Sequence, residues 1–290
     1  MPLDEDKYPS ESGRRRFVKG VVGSAALGSV ATGTAATVEM VTSSAGAGGG
    51  ITPFIAIENT DGPAPRGMPM VPIEIKNGNE IHGVWPEPET VTGPSGRQVT
   101  VAEMDMGGIT YSSTWYQYCG VQTYEGIAPD ADQDNAFRSS SGTYTWQDDV
   151  EDGSVLTLDM FDDYEEWGNG IGQAGLGKPA VANWRSEGDV STIPVQVMRS
   201  PEVSKMANGE GKYSSLSGTV RSFLAEATSN DVMAWLNKCT HFCCVPGFKA
   251  FSGSAKFDGA DRVYCQCHQS IYNPFNPIQA TYTALPRPDE

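Results

Sequence analysis

Cys239-Thr240-His241-Phe242-Cys243-Cys244 and Cys265-Gln266-Cys267-His268-Gln269-Ser270 are two short, related stretches near the end of a 290-residue chain. Written as spacing, they read C-x-H, 23 intervening residues, then C-x-x-H. The chain holds six Cys and three His. Five of those Cys and two of those His fall between residues 239 and 268, which chance placement does not produce. Six Cys are too few for a disulfide scaffold at this length, so their positions matter more than their number.

Two metal sites use two Cys and two His. Zinc brings its ligands as C-x₂₋₄-C and H-x₃₋₅-H pairs in a tetrahedral structural site. A Rieske-type [2Fe–2S] cluster takes two Cys on one iron and two His on the other. Here each stretch offers one Cys and one His, the pattern in which each loop touches both irons. Each stretch also has a spare Cys, Cys244 and Cys267, which has no use in a zinc site but is available to tie the loops together.

At these residues the chain resembles the Rieske iron–sulfur proteins of quinol-oxidising cytochrome bc-type and bf-type complexes, whose pattern is C-T-H-x-G-C followed by C-P-C-H-G-S. The resemblance implies Cys239 and Cys265 on one iron, His241 and His268 on the other, and one [2Fe–2S] cluster. It implies a Cys244–Cys267 disulfide, and hydrogen bonds to the cluster from Ser270 and Tyr272. Cys244-Val245-Pro246 matches the exit from the first loop. Ile193 to Glu202 looks like the strand and helix start upstream, and Ala284-Leu285-Pro286-Arg287-Pro288 like a diverged covering loop. Three positions depart from the pattern: Cys243 and Gln269 stand where the family has Gly, and Gln266 where it has Pro. If those glycines serve backbone shape, Cys243 and Gln269 must adopt it at some cost, or the loop conformation differs. The chain also ends where the family continues into closing strands, so those strands must come from upstream or the base fold is truncated.

Imidazole ligands lower the negative charge of such a site and raise its potential into the range of about −150 to +300 mV. The resemblance then implies an electron-transfer subunit, an enzyme only as part of a quinol–cytochrome c or quinol–copper-protein reductase. His268 and His241 would contact quinol and couple proton to electron transfer. The partners would be a membrane cytochrome b-type subunit, quinol, and an exported cytochrome c or small blue-copper acceptor. The alternatives are the Rieske subunit of another exported oxidoreductase, such as arsenite oxidase or a nitrate-respiration complex, and a free-standing Rieske ferredoxin. Cys119 and Cys243 are left over, either bridged to each other or as separate thiols.

Twenty Lys and Arg against 36 Asp and Glu give a net charge of −16, which argues against nucleic-acid binding. The first 50 residues are balanced, so the acidic excess belongs to the rest. That composition suits a protein working in high salt, where repulsion between acids is screened, as in a halophilic archaeon. Arg14-Arg15-Arg16-Phe17-Val18-Lys19 precedes an Ala/Gly/Val run and resembles a twin-arginine export signal. The run from Gly20 to Val38 is near the minimum length for a membrane span, with basic residues only on its N-terminal side.

The expected organisation is a cytoplasmic tail over 1–13, a signal-anchor helix over 14–40 and a flexible Gly-rich hinge over 41–50. A β-rich base or inserted region covers 51–189 and a Rieske cluster domain 190–290. The fold class is mainly β, an antiparallel β Rieske domain with a large extra β-rich segment. The localisation is the cell membrane, with the cluster domain on the extracytoplasmic side. Within 51–189 the strand candidates are Met70–Ile75, Gln98–Ala102, Gly142–Trp146 and Ser154–Met160. Tyr111, Trp115, Tyr116 and Tyr118 read as core, and His82 as a plain surface residue. With 33 Gly and 19 Pro, the chain favours turns and short strands over a helical bundle.

Overall fold

The structure is a computed structural model and describes residues 50–93 and 96–284. The proposed tail and anchor, the hinge except Gly50, and the covering loop beyond Ala284 lie outside the described residues. Among the described residues no helix is long and apolar enough to cross a membrane.

The described chain is largely β-sheet, in fourteen strands. They are β1 (Gly50–Asp61), β2 (Met68–Val71), β3 (Ile73–Lys76), β4 (Glu80–Gly83), β5 (Pro88–Thr92), β6 (Gln98–Met106) and β7 (Ile109–Ser112), then β8 (Arg138–Ser139), β9 (Lys178–Trp184), β10 (Ile193–Arg199), β11 (Val232–Leu236), β12 (Gly247–Phe248), β13 (Val263–Tyr264) and β14 (Ile271–Ala284). Nine of them form one sheet in the order β12-β13-β14-β1-β2-β11-β10-β9-β8. β3 pairs with β4, and β5, β6 and β7 form a third sheet. The paired strands are antiparallel throughout.

The centre of the large sheet is apolar on both faces. Val232, Met233, Ala234, Trp235 and Leu236 of β11 are all buried, the near-continuous hydrophobic run of a strand covered on both sides. β10 lies between β9 and β11 with Ile193, Val195, Val197 and Met198 buried. After β10 the chain enters helix α1 (Glu202–Asn208), stopped by Gly209 in the left-handed region at φ +68°. Helix α2 (Gly218–Ala227) starts at Ser217, whose hydroxyl accepts from the Val220 N–H. It turns Val220, Phe223, Leu224 and Ala227 inward, at the spacing of one helix face.

β1 and β14 form the longest pairing, running from Gly50 opposite Ala284 to Asp61 opposite Ile271. The strand that closes the C-terminal part of the sheet therefore comes from upstream sequence. This ladder matters for the site because β14 begins directly after Ser270. β13 ends directly before Cys265, and β11 and β12 flank the first loop.

Several strand expectations are corrected. Met70–Ile75 is not one strand: Pro72, which has no N–H to give a ladder, separates β2 from β3. Gln98–Ala102 extends to Met106. Gly142–Trp146 is not a strand but leads into a 3₁₀ turn over Thr145–Gln147. Tyr144 drives that shape, because it is buried and donates its hydroxyl to the Phe248 carbonyl at 2.6 Å. Ser154–Met160 makes isolated bridges at Val155 and Thr157 and then a 3₁₀ turn over Leu158–Phe161. Tyr111, Trp115 and Tyr116 are fully buried core, whereas Tyr118 is half-buried and leans toward the first loop. His82 is not a plain surface residue. It sits in β4 with its side chain 14% exposed, 3.2 Å from Glu80.

Candidate functional site

The two Cys-containing stretches are loops of one design. In the first, the Cys239 N–H donates to the Cys244 carbonyl at 2.7 Å and the Cys243 N–H to the Cys239 carbonyl at 3.0 Å. In the second, the Cys265 N–H donates to the Ser270 carbonyl at 2.9 Å and the Gln269 N–H to the Cys265 carbonyl at 2.9 Å. The fifth residue of each loop, Cys243 and Gln269, has φ of +62°. These are the two positions where the sequence pattern called for Gly, and each costs about 1 kcal/mol or more with a side chain present.

The loops are fixed from below and from the side. Asn237 donates its side-chain amide to the Pro246 carbonyl at 2.9 Å, closing the base of the first loop. The Tyr272 hydroxyl, at the start of β14, lies 3.2 Å from the Cys239 sulfur and accepts from the Thr240 N–H at 3.1 Å. Thr240 donates its hydroxyl to the Arg66 carbonyl at 2.7 Å. The Arg66 guanidinium stacks 4.5 Å above the Tyr118 ring, and the Tyr118 hydroxyl donates to the Lys238 carbonyl at 2.8 Å. Behind the second loop stands Gly62. A Cβ there would meet the Gln269 carbonyl oxygen at 2.6 Å, so only Gly allows this approach.

Two disulfides bind the tip. Cys244 is bridged to Cys267, joining the loops to each other. Cys119 is bridged to Cys243, joining the segment between β7 and β8 to the first loop across 124 residues. Of the two alternatives for that leftover pair, the bridged one is the structure. Cys239 and Cys265 remain free thiols, 1% and 0% exposed. They are neighbours, and each sets the other's acidity. The Cys265 thiol, followed by the Tyr272 hydroxyl, holds Cys239 down to about 5 against the opposing effect of burial. Cys265, with Cys239 beside it and its own burial adding to the effect, is pushed up.

The imidazoles form a second pair. The His241 and His268 rings meet edge to face with centroids 4.8 Å apart. Phe242, 65% exposed, lies 4.3 Å from His241 and 5.1 Å from His268. His268 is exposed and His241 half-buried. Two buried polar atoms at the tip make no hydrogen bond of normal geometry, the Ser270 hydroxyl oxygen and His241 Nδ1.

This arrangement corrects the cluster expectation. Among the described residues, one group of three or more Cys, His, Asp or Glu has all its donor atoms within 4.8 Å of one another: Cys244, Cys265 and Cys267. That group is all sulfur, holds no imidazole, and has two of its three members bonded to each other. A bridged cysteine has no thiolate to offer iron, so the group does not fit a Rieske [2Fe–2S] cluster. Of the expected ligands only Cys265 belongs to that group; Cys239 and Cys265 are neighbouring thiols and His241 and His268 neighbouring rings. The assignments that depended on the cluster are withdrawn with it. These are Rieske membership, metal binding, and the role of iron–sulfur electron-transfer subunit in a quinol-oxidising complex or in its alternatives.

The chain matches no family model, no curated protein and no solved structure. Sequence reasoning passed over two contacts that shape the tip: Tyr118 as a prop under Lys238, and Arg66 as the link between Tyr118 and Thr240. The Cys119–Cys243 bridge was one of two alternatives, open because these were the only cysteines without a role.

Proposed function

We propose that the tip is a thiol–disulfide exchange site working on the extracytoplasmic side of a membrane. One observation carries the reading. The free Cys265 sulfur lies within 4.8 Å of both sulfurs of the Cys244–Cys267 bridge, with the free Cys239 thiol beside it. A dithiol next to a disulfide is the reactant pair of exchange.

The relay runs in two balanced steps. Cys239, the thiolate of the buried pair, takes the Cys265 proton, and the Cys265 thiolate so formed attacks Cys244 Sγ, forming a Cys265–Cys244 bond and releasing Cys267 as thiolate. Cys239 passes that proton to Cys267, and the Cys239 thiolate then attacks Cys265 Sγ, forming Cys239–Cys265 and releasing Cys244 as thiolate. Two electrons pass from the buried pair to the outer pair, and the one thiol proton ends on Cys267. Cys239 suits the second step because its environment favours the thiolate. Cys267 is exposed, so the reduced outer pair faces disulfide-bearing protein partners. His268 adjoins Cys267 in the chain, and imidazole is the natural acceptor for a proton in transit.

The location is supported from two directions. Disulfides persist where the surroundings oxidise, and this domain holds two. The Arg14-Arg15 segment is the right kind of address for export of a folded protein.

Cys239→Ser tests the mechanism. It removes the attacking group of the second step, so a mixed disulfide from Cys265 to Cys244 or Cys267 should accumulate and appear in peptide maps made after acid quench. A variant in which Cys265 stays free and Cys244–Cys267 stays intact overturns the reading. So does a wild-type protein that binds iron and acid-labile sulfide through Cys239 and Cys265.

A further inference from the structure

Cys243 and Cys244 are consecutive, yet their bridges leave the first loop in different directions. Cys244 goes to the second loop and Cys243 to Cys119, between β7 and β8. The contacts around Cys119 concentrate on the start of that loop. The Cys119 sulfur lies 3.3 Å from the Cys239 carbonyl, and the adjacent Tyr118 hydroxyl holds the Lys238 carbonyl at 2.8 Å. The same Cys239 carbonyl accepts the Cys243 N–H that closes the turn. Cys243 occupies the left-handed region at φ +62°, which a side chain disfavours. The second loop shows the same φ at Gln269, but it runs straight into the fourteen-residue β14 and rests on Gly62. The first loop runs into β12, which is two residues long and lies at the sheet edge. Side-chain bonds through Asn237, Thr240 and Tyr272 also hold the first loop, and beside them it carries two covalent tethers where the second loop carries one.

Exposure separates the bridge from what it guards. Cys119 and Cys243 are half-buried, neither sealed nor as open as Cys267 of the other bridge. Cys239 and Cys265 are sealed at 1% and 0%.

We infer that the Cys119–Cys243 bridge is a reducible latch on the first loop, opened by an extracytoplasmic dithiol and giving access to Cys239. One thiolate of the reductant attacks a bridge sulfur and forms a mixed disulfide, releasing the other cysteine. The second thiol of the reductant displaces the first, leaving Cys119 and Cys243 as thiols and the reductant as its own disulfide. Two electrons enter the bridge and two protons follow. Freed from Cys119, Cys243 leaves the left-handed region and the turn closed on the Cys239 carbonyl opens.

What the opened loop does next rests on the exchange reading, but the opening itself is read separately. Amide hydrogen exchange of residues 239–244 is followed in the full chain during stepwise reduction with dithiothreitol, with bridge status mapped by mass spectrometry at each step. Loss of Cys119–Cys243 should speed exchange of the Cys243 and Cys239 amides by about tenfold or more, with the Gln269 and Cys265 amides unchanged. It should also make Cys239 open to alkylation. Unchanged exchange at Cys243 after the bridge opens overturns the latch, whatever the Cys239→Ser trap reports about exchange chemistry. Cys119→Ser should start in the open state without reductant. If that variant does not fold, the reduction series on the wild type stands alone as the test.

Discussion

The first loop, 239–244, and the second, 265–270, close with the same two backbone hydrogen bonds and place a side chain at φ +62° in the same position. Their supports differ. The second loop is continuous with β13 and β14, is packed against Gly62, and carries one disulfide. The first hangs between β11 and a two-residue edge strand and carries two. The comparison teaches that an unfavourable backbone turn can be held by the sheet on either side of it or by covalent ties to other segments. Where the sheet ends, the ties take over.

Removing the ties should break the comparison most. Cys119→Ser with Cys243→Ser opens a loop of 124 residues, which chain entropy puts at about 4 to 5 kcal/mol. Urea denaturation of the double variant should show that loss, and a loss under about 1 kcal/mol would mean the first loop holds itself. Cys244→Ser with Cys267→Ser opens 23 residues and should cost about 3 kcal/mol in the same assay.

Tyr272→Phe acts on the floor beneath the loops. It removes the acceptor for the Thr240 N–H and the partner of the Cys239 sulfur, at about 1 kcal/mol. It should also raise the Cys239 thiol from about 5 toward its ordinary value of 9.0. The pH profile of Cys239 alkylation in the latch-open protein checks this, and an unmoved midpoint would remove Tyr272 from the account. The sign for stability follows. Cys239 is depressed, so its contribution is present above pH 9 and is lost as the pH falls toward 5. Cys265 is raised, so its contribution is present below pH 9 and is lost as the pH climbs through its folded value. The pair therefore stabilises most near pH 9.

The smallest effect sharpens the comparison. Gln269→Gly relieves the left-handed turn without touching a tie and should gain about 1 kcal/mol in thermal unfolding. A destabilised variant would show that the Gln269 side chain does something the backbone does not reveal.

Much of this was legible in the sequence. The run Ile193 to Glu202 was expected as a strand and helix start from the resemblance alone, and β10 and α1 lie there. The two loops show because their cysteines crowd together, and the strain at Cys243 and Gln269 shows because a pattern with Gly at both positions exposes the substitution. What was not legible depends on distance. Tyr144 is aromatic whether it lies in a strand or plugs a turn, and only its bond to Phe248 decides. Cys119 stands 124 residues from its partner, and nothing local connects them. The expected ligands were chosen by residue type and order, which say nothing about which donor atoms converge.

The cysteine inventory of the full chain as isolated tests the central claim most directly. Alkylation under denaturing conditions without reductant, followed by peptide mapping and metal analysis, should find thiols at Cys239 and Cys265 alone, bridges at Cys119–Cys243 and Cys244–Cys267, and no iron. Iron and sulfide in equal amounts, with an iron–sulfur electron paramagnetic resonance signal on reduction, would contradict it.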